Sequence, residues 1–182
     1  CSIAQSLDRF EPVMAAARAH KIAVRGYISM VVHCPDEGQI APQIVADLAA
    51  RMMDMGCYQI SLGDTIGMAE PDAIRRLLDV CVRSVDGQNL AGHYHDTGGH
   101  AVANISASLP YGLRCFDASV GGLGGCPYAP GAAGNVASEA AAHMLAGAGF
   151  ATGLDLDALG VAAEFATSLR GETPNPLAPN LG

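Results

Sequence analysis

The chain is predicted to be an α/β protein built on a parallel sheet, and three observations carry that prediction. Strand-like runs rich in β-branched residues alternate with helical periodicities at intervals of roughly 30 residues, the length of a βα unit. The runs are apolar enough to be buried on both faces, as parallel strands are. Polar, glycine-flanked residues lie just beyond the carboxyl ends of these runs, where both doubly wound sheets and barrels place their sites. A doubly wound sheet and half of a (β/α)8 barrel both satisfy this pattern.

The elements follow in order. Ile3, Leu7, Phe10, Val13, Met14 and Ala17 recur at helical spacing behind Ser2, a capping residue. Residues 23–32 read as a strand that runs into His33-Cys34-Pro35. Pro42 opens a helix with Ile44, Val45, Leu48, Met52 and Met55 on one face, and Gly56 closes it. Residues 57–62 form the next strand, and Pro71 opens a helix with Ile74, Leu77, Leu78, Cys81 and Val82 inward. Residues 90–95 are the third strand, followed by a helix carrying Ala101, Val102, Ile105 and Leu109. Residues 115–120 are the fourth. A glycine-rich loop then leads into a helix over 135–146, and a last helix spans 155–169 ahead of a proline-rich tail.

Composition removes several function classes. Half of the 182 residues are hydrophobic and 15% are charged, against about 25% in an ordinary soluble domain. With a net charge of -8 and 5% aromatic residues, the chain has little to neutralise phosphates or stack bases, so nucleic-acid binding is excluded. No apolar run approaches the ~20 residues of a membrane span, so no membrane partner is expected. Lys21 is the only lysine, which removes the phosphate-loop motif and leaves one poor Schiff-base candidate. Six cysteines without a C-x-x-C pair read as reduced, mostly buried thiols in a cytosol-like compartment. The length fits one domain, 1–182. Because the chain opens at Cys1 in a helix start, its first part is expected to lie upstream.

Few residues have the character for chemistry. In Gly92-His93-Tyr94-His95-Asp96 two imidazoles at i and i+2 on a strand share a face, which is metal-ligand geometry, although a lone histidine is more often a hydrogen-bonded core residue. The loop from Gly121 to Gly134 packs in glycines around Cys126, flanked by Pro127. It reads either as a glycine-rich turn with an incidental thiol or as a lid that brings Cys126 over a site. Its spacing is not that of a dinucleotide fingerprint. Asn135 and Glu139 look like a helix cap and a first-turn acid, although the Asn135 amide oxygen could equally serve an ion, and Asp64 looks like a turn cap. Asp117, inside the fourth strand, reads as a hydrogen-bonded acid at the mouth of the sheet. His33, His100 and His143 have no evident partner.

The strings SLGDTIG (61–67), HYHDT (93–97), FDASVGGLGGCPYAPGA (116–132) and GNVASE (134–139) together resemble the 3-hydroxy-3-methylglutaryl-CoA lyase family. The H-x-H-D element is shared by a wider set of metal-dependent barrel enzymes, and the glycine–cysteine loop is the more specific part. The resemblance implies a (β/α)8 barrel, of which this chain supplies the last four βα units and the C-terminal helices. It implies that His93, His95 and Asn135 bind a divalent cation, Mg2+ or Mn2+. It further implies that Cys126 protonates an enolate, that Asp64 and His93 serve catalysis, and that Glu139, Gly124 and Gly125 support the site.

The implied reaction is metal-assisted retro-Claisen cleavage of an acyl-CoA thioester. The implied setting is a homodimer of the complete protein in the bacterial cytoplasm, or in mitochondria in a eukaryote, within leucine degradation. The aspartate and arginine of the family's D-R-E motif have no counterpart in this sequence, so the residues alone are expected to be inactive. Gly98 and His100 stand where the family usually has an aromatic and a glutamine, and Asp36 where it has a tyrosine. Cleavage of a related thioester such as citramalyl-CoA, or a metal-dependent pyruvate aldolase, therefore remains an alternative.

Overall fold

In the computed structural model, residues 2–125 and 134–169 are described. Ser2 begins the chain's first helix, α1 (Ile3–Ala19), in a reciprocal arrangement: its Oγ accepts from the Gln5 N–H, and the Gln5 side chain accepts from the Ser2 N–H. Strand β1 (Arg25–Ile28) follows, then a small antiparallel hairpin of β2 (His33–Cys34) and β3 (Gly38–Gln39). Next come α2 (Pro42–Asp54), β4 (Gln59–Asp64), α3 (Pro71–Cys81), β5 (Leu90–Tyr94), α4 (Ala101–Ser108) and β6 (Cys115–Asp117). Helices α5 (Ser138–Gly147) and α6 (Leu156–Leu169) end the described residues. Pro42 and Pro71 each occupy the first turn of their helix, where a missing N–H loses no bond.

Strands β1, β4, β5 and β6 form one parallel sheet in that order. Each strand follows its neighbour through a helix, so the sheet is a run of consecutive βα units. On the helix-covered face Ile60, Leu62, Leu90 and Tyr94 are almost fully buried with Val45, Ala46, Ala49, Ile74, Leu77, Leu78 and Ile105 of α2, α3 and α4. Removing this apolar area from water is what holds the layers together.

The other face is polar, contrary to the layered apolar interior that a barrel strand pattern leads one to expect. Register places Arg25 beside Gln59, Tyr27 beside Ser61, and His93 between Gly63 and Asp117. Tyr27 is 55% exposed, so this concave face is open.

Three boundaries move by several residues from the sequence reading, two of them where a long-range contact outcompetes propensity. The strand expected over 23–32 stops at Ile28: Met30 takes a left-handed backbone (φ 58°), and its N–H donates to Thr65 Oγ1. The strand expected over 115–120 ends at Asp117, and the chain turns through Val120–Gly122. The helix expected from Asn135 begins at Ser138, because Asn135 pairs with His95 in an antiparallel bridge and Ala137 with Ser119 in a parallel one. Among the described residues no helix is long and apolar enough to cross a membrane.

Candidate active site

The polar face is organised around Asp117. Its Oδ1 accepts from Arg25 Nη1 at 2.7 Å, and its Oδ2 accepts from Ser61 Oγ at 2.7 Å and lies 3.3 Å from His93 Nδ1. Arg25 in turn donates to Gln59 Oε1 and to the Tyr27 hydroxyl. All four strands thus contribute to one network. Burial by itself would raise the Asp117 pKa, but the hydrogen bonds from His93, Arg25 and Ser61 and the guanidinium charge bring it down to about 2. Of these residues only His93 and Asp117 stood out in the sequence. Gln59, Ser61 and Gly63 alternate with Ile60 and Leu62, a period-2 signal of a strand with one polar face that was available and outweighed by the run's overall apolarity.

Above this network lie the two imidazoles, with ring centroids 5.3 Å apart and planes tilted by 51°. His95 is 7% exposed, and its Nδ1 is buried without a hydrogen-bond partner. Burial, then the neighbouring His93, push its pKa down, against a backbone hydrogen bond with Thr65 that raises it. Directly paired antiparallel residues project side by side, so the bridge between His95 and Asn135 brings the Asn135 amide to the same spot. The amide nitrogen donates to the Leu123 carbonyl at 3.0 Å, which fixes its orientation. Among the described residues no group of three His, Cys, Asp or Glu surrounds a common point. Two imidazoles and an amide oxygen are nevertheless a donor set suited to a divalent cation, and the unpartnered His95 nitrogen fits that role.

The remaining expected residues take varied positions. Asp64 is 1% exposed: Oδ2 accepts from the Ala69 N–H at 2.9 Å, while Oδ1 is buried without a partner. Burial raises its pKa, against the opposing backbone hydrogen bonds and the charge of His33. Gly67, with φ +68°, lies so close to the His95 and Thr97 backbone that an added Cβ would come within 2.8 Å, which sets the Asp64 turn against the end of β5. Glu139 Oε2 accepts from the Gly121 N–H at 3.1 Å and so ties the loop after β6 to α5. At Gly124 (φ +123°) a Cβ would stand 2.5 Å from Asn135 Nδ2, so only glycine leaves room for that amide; around Gly125 there is open space. Cys126 lies outside the described residues.

Consecutive parallel βα units with a polar concave face and paired imidazoles at strand ends define an enzyme of the α/β-barrel class, of which these residues form an arc. The chain belongs to the HMGL-like family, whose match covers residues 1–165. It is 53% identical over 159 residues to hydroxymethylglutaryl-CoA lyase of Pseudomonas mevalonii, covering 87% of this chain and 53% of that protein. It is 54% identical, over the same shares, to the 3-hydroxy-3-isohexenylglutaryl-CoA/hydroxymethylglutaryl-CoA lyase of Pseudomonas aeruginosa. The crystal structure of the lyase from Brucella melitensis superposes with a TM-score of 0.91 at 52% identity, covering 94% of this chain and 61% of that one. The chain therefore spans about half the length of the curated relatives it matches.

Proposed function

We propose that this chain carries the cation-binding part of a carbon–carbon lyase that cleaves 3-hydroxy-3-methylglutaryl-CoA to acetyl-CoA and acetoacetate. The observation that carries this reading is the convergence of His93, His95 and Asn135 at one strand end, in a chain about half identical to lyases of that name. We assign the cation to Mg2+ or Mn2+. Bound there, it would act as Lewis acid and template for the substrate's hydroxyl and carboxylate oxygens.

The chain's own residues supply the rest. In the net reaction the C2–C3 bond breaks, its electron pair passes to the thioester enolate, C3 becomes a ketone, and the hydroxyl proton ends on C2. Cys126 is the donor at carbon, as the resemblance implies. Asp64 is assigned to catalysis by the resemblance alone: it is buried, its Oδ2 accepts from the Ala69 N–H, and burial raises its pKa. His93 has one nitrogen engaged with Asp117, so its single remaining lone pair serves the cation and not the proton.

A second thioester has specific support. The relative from Pseudomonas aeruginosa carries the isohexenylglutaryl name as well.

The test is calorimetric titration with Mn2+, together with acetyl-CoA release from both thioesters by the protein carrying these residues. Binding that is lost in His95→Ala, with turnover of the methylglutaryl thioester, supports the reading. Indistinguishable titrations of the two proteins remove the metal site.

A further inference from the structure

We propose that Asp117 is a positioning residue that fixes the tautomer of His93, placing the proton on Nδ1 and turning the Nε2 lone pair into the site. Its carboxylate faces an imidazole nitrogen at 3.3 Å while Arg25 and Ser61 each donate to it at 2.7 Å. The inference rests on the cation reading above for its effect on binding, but the tautomer itself does not depend on that reading.

The argument is one of donors and acceptors. Arg25 has only donors, and its guanidinium keeps Asp117 ionised and therefore acceptor-only. Ser61 Oγ spends its single hydrogen on Oδ2. The His93 nitrogen beside that same oxygen can approach favourably only as an N–H. Ligating histidines commonly have their second nitrogen held by a carboxylate in this manner. Here the carboxylate is itself anchored from β1 and β4, so the ring on β5 is oriented by groups from the three other strands of the sheet. Nothing in the H-x-H-D string reveals this, because the acid adjacent in sequence, Asp96, is engaged elsewhere: its Oδ1 accepts from the Ala101 N–H.

Asp117→Asn separates the alternatives. The asparagine oxygen must face Arg25, which only donates, and its NH2 then occupies the place of Oδ2 and donates to His93 Nδ1. The imidazole proton is forced to Nε2, where the lone pair was needed. Ser61→Ala removes one anchor, leaves Arg25 in place and should not change the tautomer.

The experiment is long-range 1H–15N correlation of histidine-labelled, metal-free protein above the histidine titration range, paired with Mn2+ calorimetry. His93 should be the Nδ1–H form in the parent and in Ser61→Ala and the Nε2–H form in Asp117→Asn, with Mn2+ affinity weakened roughly 10- to 100-fold in the latter. An Nε2–H form in the parent overturns the proposal, even if Asp117→Asn fails to fold. So does an unchanged tautomer in a folded Asp117→Asn. A parent that shows the Nδ1–H form but binds no Mn2+ refutes the cation reading and leaves the positioning role standing.

Discussion

Arg25 Nη1 and Asp117 Oδ1 meet at 2.7 Å although they belong to the two outer strands of the four-stranded sheet. The contact crosses the concave face and draws its edges together, with Ser61 and His93 gathered on the same carboxylate. Both side chains are mostly buried, at 17% and 20% exposure, so the pair is screened less than a surface one.

Arg25→Met should therefore destabilise the fold by about 1.5–3 kcal/mol, the range for a hydrogen bond to a charged group. The pH dependence has a definite sign. Asp117 lies below the ordinary carboxylate value, at about 2, so its contribution is present above the unfolded-state pKa and is lost as pH falls through the folded one. The groups facing it are Arg25, Ser61 and His93. The parent should lose at most about 2 kcal/mol between roughly pH 4 and pH 2 from this group, and Arg25→Met should lose less. Urea melts across that window check it; parallel pH curves for the two proteins would contradict the assignment.

Much of the frame was legible because helix periodicity and proline placement are local signals. Pro42 and Pro71 mark helix starts, and the faces set by Ile74, Leu77 and Leu78 are the buried ones. The concave face was not legible. Arg25 and Asp117 are bonded by the curvature of the sheet, and Asn135 acquires its place from pairing with His95 and not from a helix start. Both are long-range relationships that no local pattern encodes. Cys115 shows the same limit: its apolar context reads as full burial, yet it is only half-buried, with Arg25 Nη2 3.6 Å from its sulfur.

Gly124→Ala should displace the Asn135 amide. The added methyl would stand 2.5 Å from Nδ2 at a backbone φ of +123°, a conformation that disfavours any side chain. Weaker Mn2+ binding is expected, together with a melting temperature lowered by the strain at that φ. Gly125→Ala, with open space around it, should leave binding intact, and equal losses in the two variants would show that the loop and not the amide is being perturbed.

Thiol reactivity gives an independent check on the fold. Burial pushes Cys81 up to about 12 and raises Cys57, so neither offers appreciable thiolate near neutral pH. Brief alkylation of the native protein followed by peptide mass mapping should label Cys126 first and leave Cys57 and Cys81 unmodified until denaturant is added. Labelling of Cys81 at the rate of Cys126 would show that the α2, α3 and α4 layer is not packed as described.

The open edges make the last prediction. Among the described residues β1 and β6 each lack a neighbour on one side, and Tyr27 on the concave face and Phe10, Val13 and Ile44 on α1 and α2 are about half exposed. A groove between α1 and α2 is lined by Ile3, Leu7, Ile44 and Leu48. Unpaired strand edges template association, and each Å2 of apolar area left in water forfeits about 25 cal/mol. Relatives are about twice as long as the matched segment, so in a complete barrel further strands would pair with the two sheet edges. The 182 residues on their own should show a mass that rises with concentration in analytical ultracentrifugation, and should release no acetyl-CoA from 3-hydroxy-3-methylglutaryl-CoA. Supplying four further barrel strands in trans should lower the association and give turnover. A monodisperse monomer with full turnover would mean that the four-stranded sheet suffices, and that the D-R-E residues absent from it are dispensable.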